Sequence, residues 1–185
     1  MKKILSALMM MAATSAFAGP IAYNTEEYRL NGSLDFDTIA GTELDIEAGY
    51  GYFFQDYTEG GVLVGVSDND YVTTLSLGGF LEYNFDTDTE FTPFVGAELS
   101  VLYSDVEVET VIVNPETGET TTGSDDESTT ALALGIYAGA KYFIADNLAI
   151  SARVFLEVAT DDVYAEEDGL NNVDSGIDFG LRFFY

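Results

Sequence analysis

Beyond residue 18, the residues able to do chemistry are four cations and a set of carboxylates that fall mid-segment rather than in loops. The cations are Arg29, Lys141, Arg153 and Arg182; the carboxylates are Glu47, Glu82, Glu98, Glu157 and Asp178. Opposed groups of this kind form charge-assisted hydrogen bonds, and out of water each charge persists only when it is paired. Other chemistries fail on composition. The 185-residue chain has no cysteine and no histidine, which removes thiol nucleophiles, disulfides, thiolate or imidazole metal sites and Ser-His-Asp catalysis. Asp161–Asp162 and Glu166–Glu167 are the remaining carboxylate pairs. Such adjacency is ordinary in a solvated acidic loop, so no catalytic residue, cofactor or metal site is assigned and the chain is read as not an enzyme. With 33 acidic residues against 6 basic ones and a net charge of −27, the chain repels phosphate backbones, and nucleic acid is excluded as a partner. Hydrophobic residues at 47% and aromatic residues at 14% exclude a disordered acidic chain.

The first 18 residues read as an address. Lys2 and Lys3 precede an apolar run from Ile4 to Ala12, and Ala16-Phe17-Ala18 ends the segment before Gly19. A basic start, a short apolar stretch and an Ala-x-Ala end are the layout of a cleavable export signal. The run is shorter than the ~20 residues that a helix needs to span a bilayer. Residues 19–185 are then expected to form one domain.

From Tyr28 onward, alternating segments separated by Asp/Asn/Gly/Thr-rich breaks predict eight strands. They cover residues 28–36, 43–55, 61–67, 72–85, 91–104, 130–143, 148–159 and 175–185. Two connections are long and acidic, at about 105–129 and 160–174. Val108–Val113 and Thr117–Thr122 flank a turn sequence, Asn114-Pro115-Glu116-Thr117-Gly118, so the first long loop is expected to continue as a β-hairpin. Their carboxylates have the oxygen chemistry that suits Ca²⁺ or Mg²⁺, but no segment has EF-hand spacing.

Strand parity fixes which side faces what, because successive side chains point to opposite faces. Leu75, Leu77 and Leu81 share one face of their strand; Ser76, Gly78 and Glu82 share the other. Ile177, Phe179, Leu181 and Phe183 likewise oppose Gly176, Asp178, Gly180 and Arg182. Every cation beyond residue 18 falls on the polar face, together with nine glycines, including Gly49, Gly51, Gly96, Gly135 and Gly180. Water would make no demand for glycine there. Crowding inside a narrow bore would. Apolar outside with polar inside is the transmembrane arrangement, and the outward aromatics Tyr28, Tyr52, Phe54, Tyr83, Phe85, Phe91, Tyr142, Phe183 and Tyr185 gather at one set of strand ends as a girdle. The fold class expected is an all-β, eight-stranded antiparallel up-and-down transmembrane β-barrel. At eight strands the bore is just wide enough for side chains to fill.

The last residues, from Asp178 to Tyr185, resemble the C-terminal signal read by the outer-membrane barrel assembly machinery. Its polar-x-Gly-x-x-aromatic-x-aromatic pattern is filled here by Asp178, Gly180, Phe183 and Tyr185, with Tyr185 where Phe is usual. The segments 92–103 and 138–157 are similar to hairpins of small OmpA/OmpX-like outer-membrane β-barrel proteins. The resemblance implies location in the outer membrane of a Gram-negative bacterium, lipid and lipopolysaccharide contact, and the assembly machinery as a partner of the C-terminal strand. Two functions fit these residues. One is a structural or surface-interaction barrel, a monomer plugged by its charges, with acidic outer loops free to meet a surface ligand. The other is a narrow cation-preferring channel lined by the same groups.

Overall fold

The computed structural model describes residues 21–37, 41–68, 72–87, 89–113, 120–166 and 169–185. The expected export signal, residues 1–18, and the turn at 114–118 lie outside them. Eight strands close into an antiparallel barrel: β1 (Glu26–Asp37), β2 (Gly41–Gln55), β3 (Thr58–Asp68), β4 (Val72–Asn84), β5 (Phe91–Val113), β6 (Thr120–Ala145), β7 (Leu148–Ala159) and β10 (Val173–Phe184). Neighbours in sequence are neighbours in the wall, and β10 returns to pair with β1, aligning Glu27 with Phe184 and Gly32 with Phe179. Pairing of β1 with β10 closes the sheet and removes its two edges along this stretch.

An even strand number brings both termini to one end, where backbone bonds join Glu26 and Tyr185 in both directions at 3.0 Å. The connections at this end are short. Asp56 and Tyr57 link β2 to β3, and Asp146 and Asn147 link β6 to β7, each beside a register shift of one residue. Tyr57 adopts φ 66°, the positive value that a tight hairpin turn requires and a bulky residue rarely takes. Its hydroxyl donates to Asp86 at 2.7 Å, tying this turn to the β4–β5 connection.

At the opposite end the connections differ from the strand limits expected above. β5 and β6 stay paired from Phe91↔Tyr142 to Val113↔Thr120. β4 stops at Val72↔Val106 and β7 at Ala133↔Ala159, so the β5–β6 ribbon rises beyond its neighbours. The last long connection also contains a second small hairpin, β8 (Tyr164–Glu166) with β9 (Gly169–Asn171), which the polar composition of the segment hid.

The apolar faces point outward. Leu77 and Phe179 are each 66% exposed, Leu134 60% and Val62 58%, whereas the fully buried side chains include Arg182, Lys141, Glu27, Glu59 and Glu82 together with Phe53, Phe94 and Phe184. A water-soluble barrel would reverse this order. The outward aromatics form edge-on pairs at the terminus-bearing end, with Tyr28 against Tyr50 at 5.3 Å and against Tyr185 at 5.5 Å.

Candidate functional site

The lumen holds two separate groups of charges. The first lies near the termini. On the wall, like charges are direct cross-strand neighbours: Arg29 sits opposite Arg182, and Glu59 opposite Glu82. Such pairs repel when they face only each other. Here they reach across the bore instead. Arg29 meets Glu27 at 2.9 Å, Glu59 at 3.2 Å and Glu82 at 3.4 Å, while Arg182 meets Glu27 at 2.8 Å. The Lys141 ammonium, with three N–H donors, lies 2.8 Å from Glu27, 3.0 Å from Glu59 and 2.7 Å from Glu82. Three cations balance three carboxylates, and every side chain in the layer is fully buried. Aromatic rings surround them: the Arg29 guanidinium lies 3.4 Å from the centroid of Phe80, and Lys141 lies within cation–π range of Phe53, Phe94 and Phe184.

The second group lies toward the ribbon end and is wetter. Arg153 donates from Nε to Asp178 at 2.7 Å and from Nη1 to Glu98 at 3.3 Å, and its Nη2 is 3.3 Å from Glu47. Glu157 accepts from Ser100 at 3.0 Å and Glu47 from Asn31 at 2.7 Å. A cavity of about 170 Å³ opens here, lined by Asp45, Glu47, Glu98, Glu157, Asp174 and Asp178 with Arg153 as its lone cation. The lower layer is neutral; this chamber is strongly acidic.

The structure therefore divides the sequence-derived set. Arg29, Glu82, Lys141 and Arg182 share the lower layer, and Glu47, Glu98, Arg153, Glu157 and Asp178 share the chamber. Two central members, Glu27 and Glu59, are absent from that set. Parity pointed to both, since Glu27 precedes Arg29 by two residues and Glu59 precedes Gly61 by two, but β1 and β3 begin earlier than the polar breaks suggested. Phe184 shares the polar face with Arg182 by parity, and it is buried as that parity requires; the inward rings of Phe53, Phe80 and Phe94 were hidden for a related reason, since aromatics read as lipid-facing unless parity is followed residue by residue.

Glycines on the inner wall make room for these groups. A Cβ on Gly49 would lie 2.7 Å from the Arg29 side chain, one on Gly135 2.8 Å from Glu98, and one on Gly96 would strike the Tyr137 ring. Of the residues in the C-terminal pattern, Asp178 is held by Arg153, Gly180 lies beneath Asn31 and Ser151, and Phe183 and Tyr185 are half-buried on the outer face. Asp161 and Asp162 are exposed, and the Asp161 carboxylate accepts the Asp162 amide at 3.1 Å.

The two charge groups differ in how much solvent relaxation remains available to them, and this difference is measurable. Arg153→Met is expected to lower the unfolding midpoint of the folded protein in detergent, but by less than the matching change at Lys141. Water and protonation can relieve carboxylates in the chamber, where Glu47 keeps 20% of its side chain exposed. Denaturant titration of the two variants side by side reads the difference; an equal or larger loss for Arg153→Met would contradict it.

Residues 51–184 match the family described as Opacity family porin protein. Outer membrane protein PagN of Salmonella typhimurium (strain LT2) is 29% identical over 141 residues, and the match takes in 74% of this chain and 54% of PagN, so the chain spans about half the length of this curated relative. Neisserial surface protein A (NspA) has a TM-score of 0.54 at 20% identity, covering 91% of this chain and 99% of that one. The N-terminal β-barrel domain of Pseudomonas aeruginosa OprF has a TM-score of 0.52 at 19% identity, covering 88% and 98%. At such identities the two solved structures speak for the fold. The sequence match from β2 to β10, on a barrel whose exterior is built for lipid, makes this chain a member of the Opacity family of porin proteins, resident in the outer membrane of a Gram-negative bacterium.

Proposed function

We propose that this barrel is a sealed surface-interaction protein whose working part is the β5–β6 ribbon. The observation that carries this is the continuation of pairing to Val113↔Thr120 after both neighbouring strands have stopped. Beyond Val106 on β5 and before Ala133 on β6, each strand has one edge with no wall partner, the arrangement to which an extended segment adds as a further strand. Glu107, Glu109, Asp125, Asp126 and Glu127 lie on this ribbon, which favours a basic partner and disfavours an acidic one. The balanced, ring-lined layer near the termini supports a plug rather than a path, and family membership supports a role that is not catalytic. The outward apolar belt and girdle face lipid and lipopolysaccharide, the C-terminal strand engages the assembly machinery through Asp178, Gly180, Phe183 and Tyr185, and the barrel acts as a monomer.

Two measurements test this reading. Replacing residues 107–126 by a two-glycine turn is expected to leave the heat-dependent gel shift of the folded barrel intact and to abolish binding of polylysine to barrel-bearing vesicles. Retained binding would remove the ribbon from the function. In planar bilayers the refolded protein is expected to give no reproducible openings. Cation-selective openings that vanish in Arg153→Ala or Arg182→Ala would establish the channel instead.

A further inference from the structure

The seam that closes the wall is shorter than the strands that form it. The β1–β10 ladder runs from Glu27↔Phe184 to Gly32↔Phe179, and no later pair joins the two strands among the described residues. Both strands nevertheless go on. β1 continues beside β2 from Ser33↔Asp45 to Asp37↔Gly41, and β10 runs back beside β7 from Asp178↔Arg153 to Val173↔Val158. Beyond Gly32 and Phe179 the seam is therefore a slit. Leu44, Ile46, Ile177 and Phe179 flank it on the outer face, each exposed, so it opens within the apolar band. Backbone edges at that depth are tolerated where they line a wet cavity, and the acidic chamber is such a cavity. An outer groove of about 1250 Å³ runs over the seam, and Asn31, Gly32, Asp45, Ile46, Phe155 and Asp174 line both this groove and the chamber.

We propose that the slit is a lateral binding site for a cationic amphiphile, a single alkyl chain with an ammonium head. The head sits in the chamber and the chain lies along the outer groove. Charge complementarity selects the head: six carboxylates against one arginine line the chamber, which favours a cation and disfavours the phosphates of lipopolysaccharide. The Phe155 ring stands where the two spaces meet. It lies beneath Gly176, where a Cβ would be 3.0 Å from it, and an aromatic ring in that place suits an alkylated ammonium. Val163 turns inward, 1% exposed and packed with Leu102, and gives the chamber an apolar side for the methylenes nearest the head. Leu30, Ile150, Phe179 and Leu181 of the outer groove receive the rest of the chain. Below, the chamber ends at the layer of Lys141, Arg29 and Arg182 with their three glutamates, so a ligand entering from the side reaches a blind pocket and the barrel stays sealed. This inference does not rest on the role of the ribbon.

Photocrosslinking of the intact barrel in phosphatidylcholine vesicles tests it. The probe is dodecyltrimethylammonium with a diazirine at the middle of its chain, and mass spectrometry locates the adducts. Adducts are expected to saturate, and to favour Ile46, Ile177 and Phe179 by about fivefold or more over Leu77 and Leu99, which lie on the wall opposite the seam. Unlabelled dodecyltrimethylammonium is expected to compete, while dodecyl sulfate and tetramethylammonium at the same concentration are not. Phe155→Leu, and separately Asp45→Asn with Asp174→Asn, are expected to lower the yield at the seam about threefold or more in barrels that keep the heat-dependent gel shift. Adducts spread evenly around the outer face would reveal ordinary lipid solvation and overturn the site, as would seam yields unchanged in both variants. Equal competition by dodecyl sulfate would contradict the selection by charge. Competition by tetramethylammonium alone would place entry at the mouth and contradict the lateral route.

Discussion

Replacing Lys141 by methionine is expected to destabilise the barrel by about 3–5 kcal/mol, the range seen when one partner is removed from a buried ion group. The ammonium supplies one contact to each of three carboxylates, at 2.8, 3.0 and 2.7 Å. Without it, Arg29 and Arg182 must neutralise three glutamates in a layer with no side-chain exposure. Glu59 suffers most: its other ion pair is with Arg29 at 3.2 Å. The excess charge can be removed in a second step. Glu59→Gln in the Lys141→Met background restores neutrality and is expected to recover a large share of the loss, giving a strongly non-additive double-mutant cycle. Urea unfolding in detergent, with the heat-dependent gel shift as a check of folding, measures all four corners. Additive losses would mean that the two residues are not coupled through the layer.

The second large effect is expected from Gly96→Val. The Tyr137 ring lies over Gly96, where a Cβ would collide with it. The ring has little freedom to yield, because Phe94 packs edge-on against it at 6.0 Å and the Arg153 guanidinium lies 5.0 Å from its centroid. Overpacking at a rigid site typically costs about 1–3 kcal/mol. Gly96→Val combined with Tyr137→Ala is expected to recover stability relative to Gly96→Val alone, because the added methyls then occupy the space that the ring vacates. If Gly96→Val unfolds at the wild-type midpoint, the inner glycines are not there to seat neighbouring side chains.

The barrel was legible in the sequence because a wall strand between lipid and a charged bore alternates apolar and polar residues over most of its length. Leu75, Leu77 and Leu81 against Ser76, Gly78 and Glu82 leave one consistent orientation, and the C-terminal strand repeats it. The charged residues were legible as a set but not as an arrangement. Parity states that Arg29 and Arg182 point inward; it is silent on their being wall neighbours that reach across the bore, or on Arg153 standing in a separate chamber. Those facts depend on register and on the closure of β1 onto β10, which no local pattern encodes. Glu27 and Glu59 were missed at strand starts, where a glutamate beside a turn looks like any solvated end. The inward turn of Val163 was hidden for the opposite reason: one valine among acidic neighbours carries no period, and its burial is decided by the wall it meets.

The sidedness of the wall is the claim on which the rest stands, and spin labels at adjacent positions measure it. Single cysteines at Leu77, Leu99 and Leu134, and at their neighbours Ser76, Ser100 and Ala133, place labels on opposite faces of β4, β5 and β6. In bilayers, the three leucine positions are expected to collide freely with lipid-dissolved oxygen, and the three neighbours to be shielded from it. Oxygen reaching Ser76, Ser100 and Ala133 while sparing the leucines would put the apolar face inside the barrel and contradict the account.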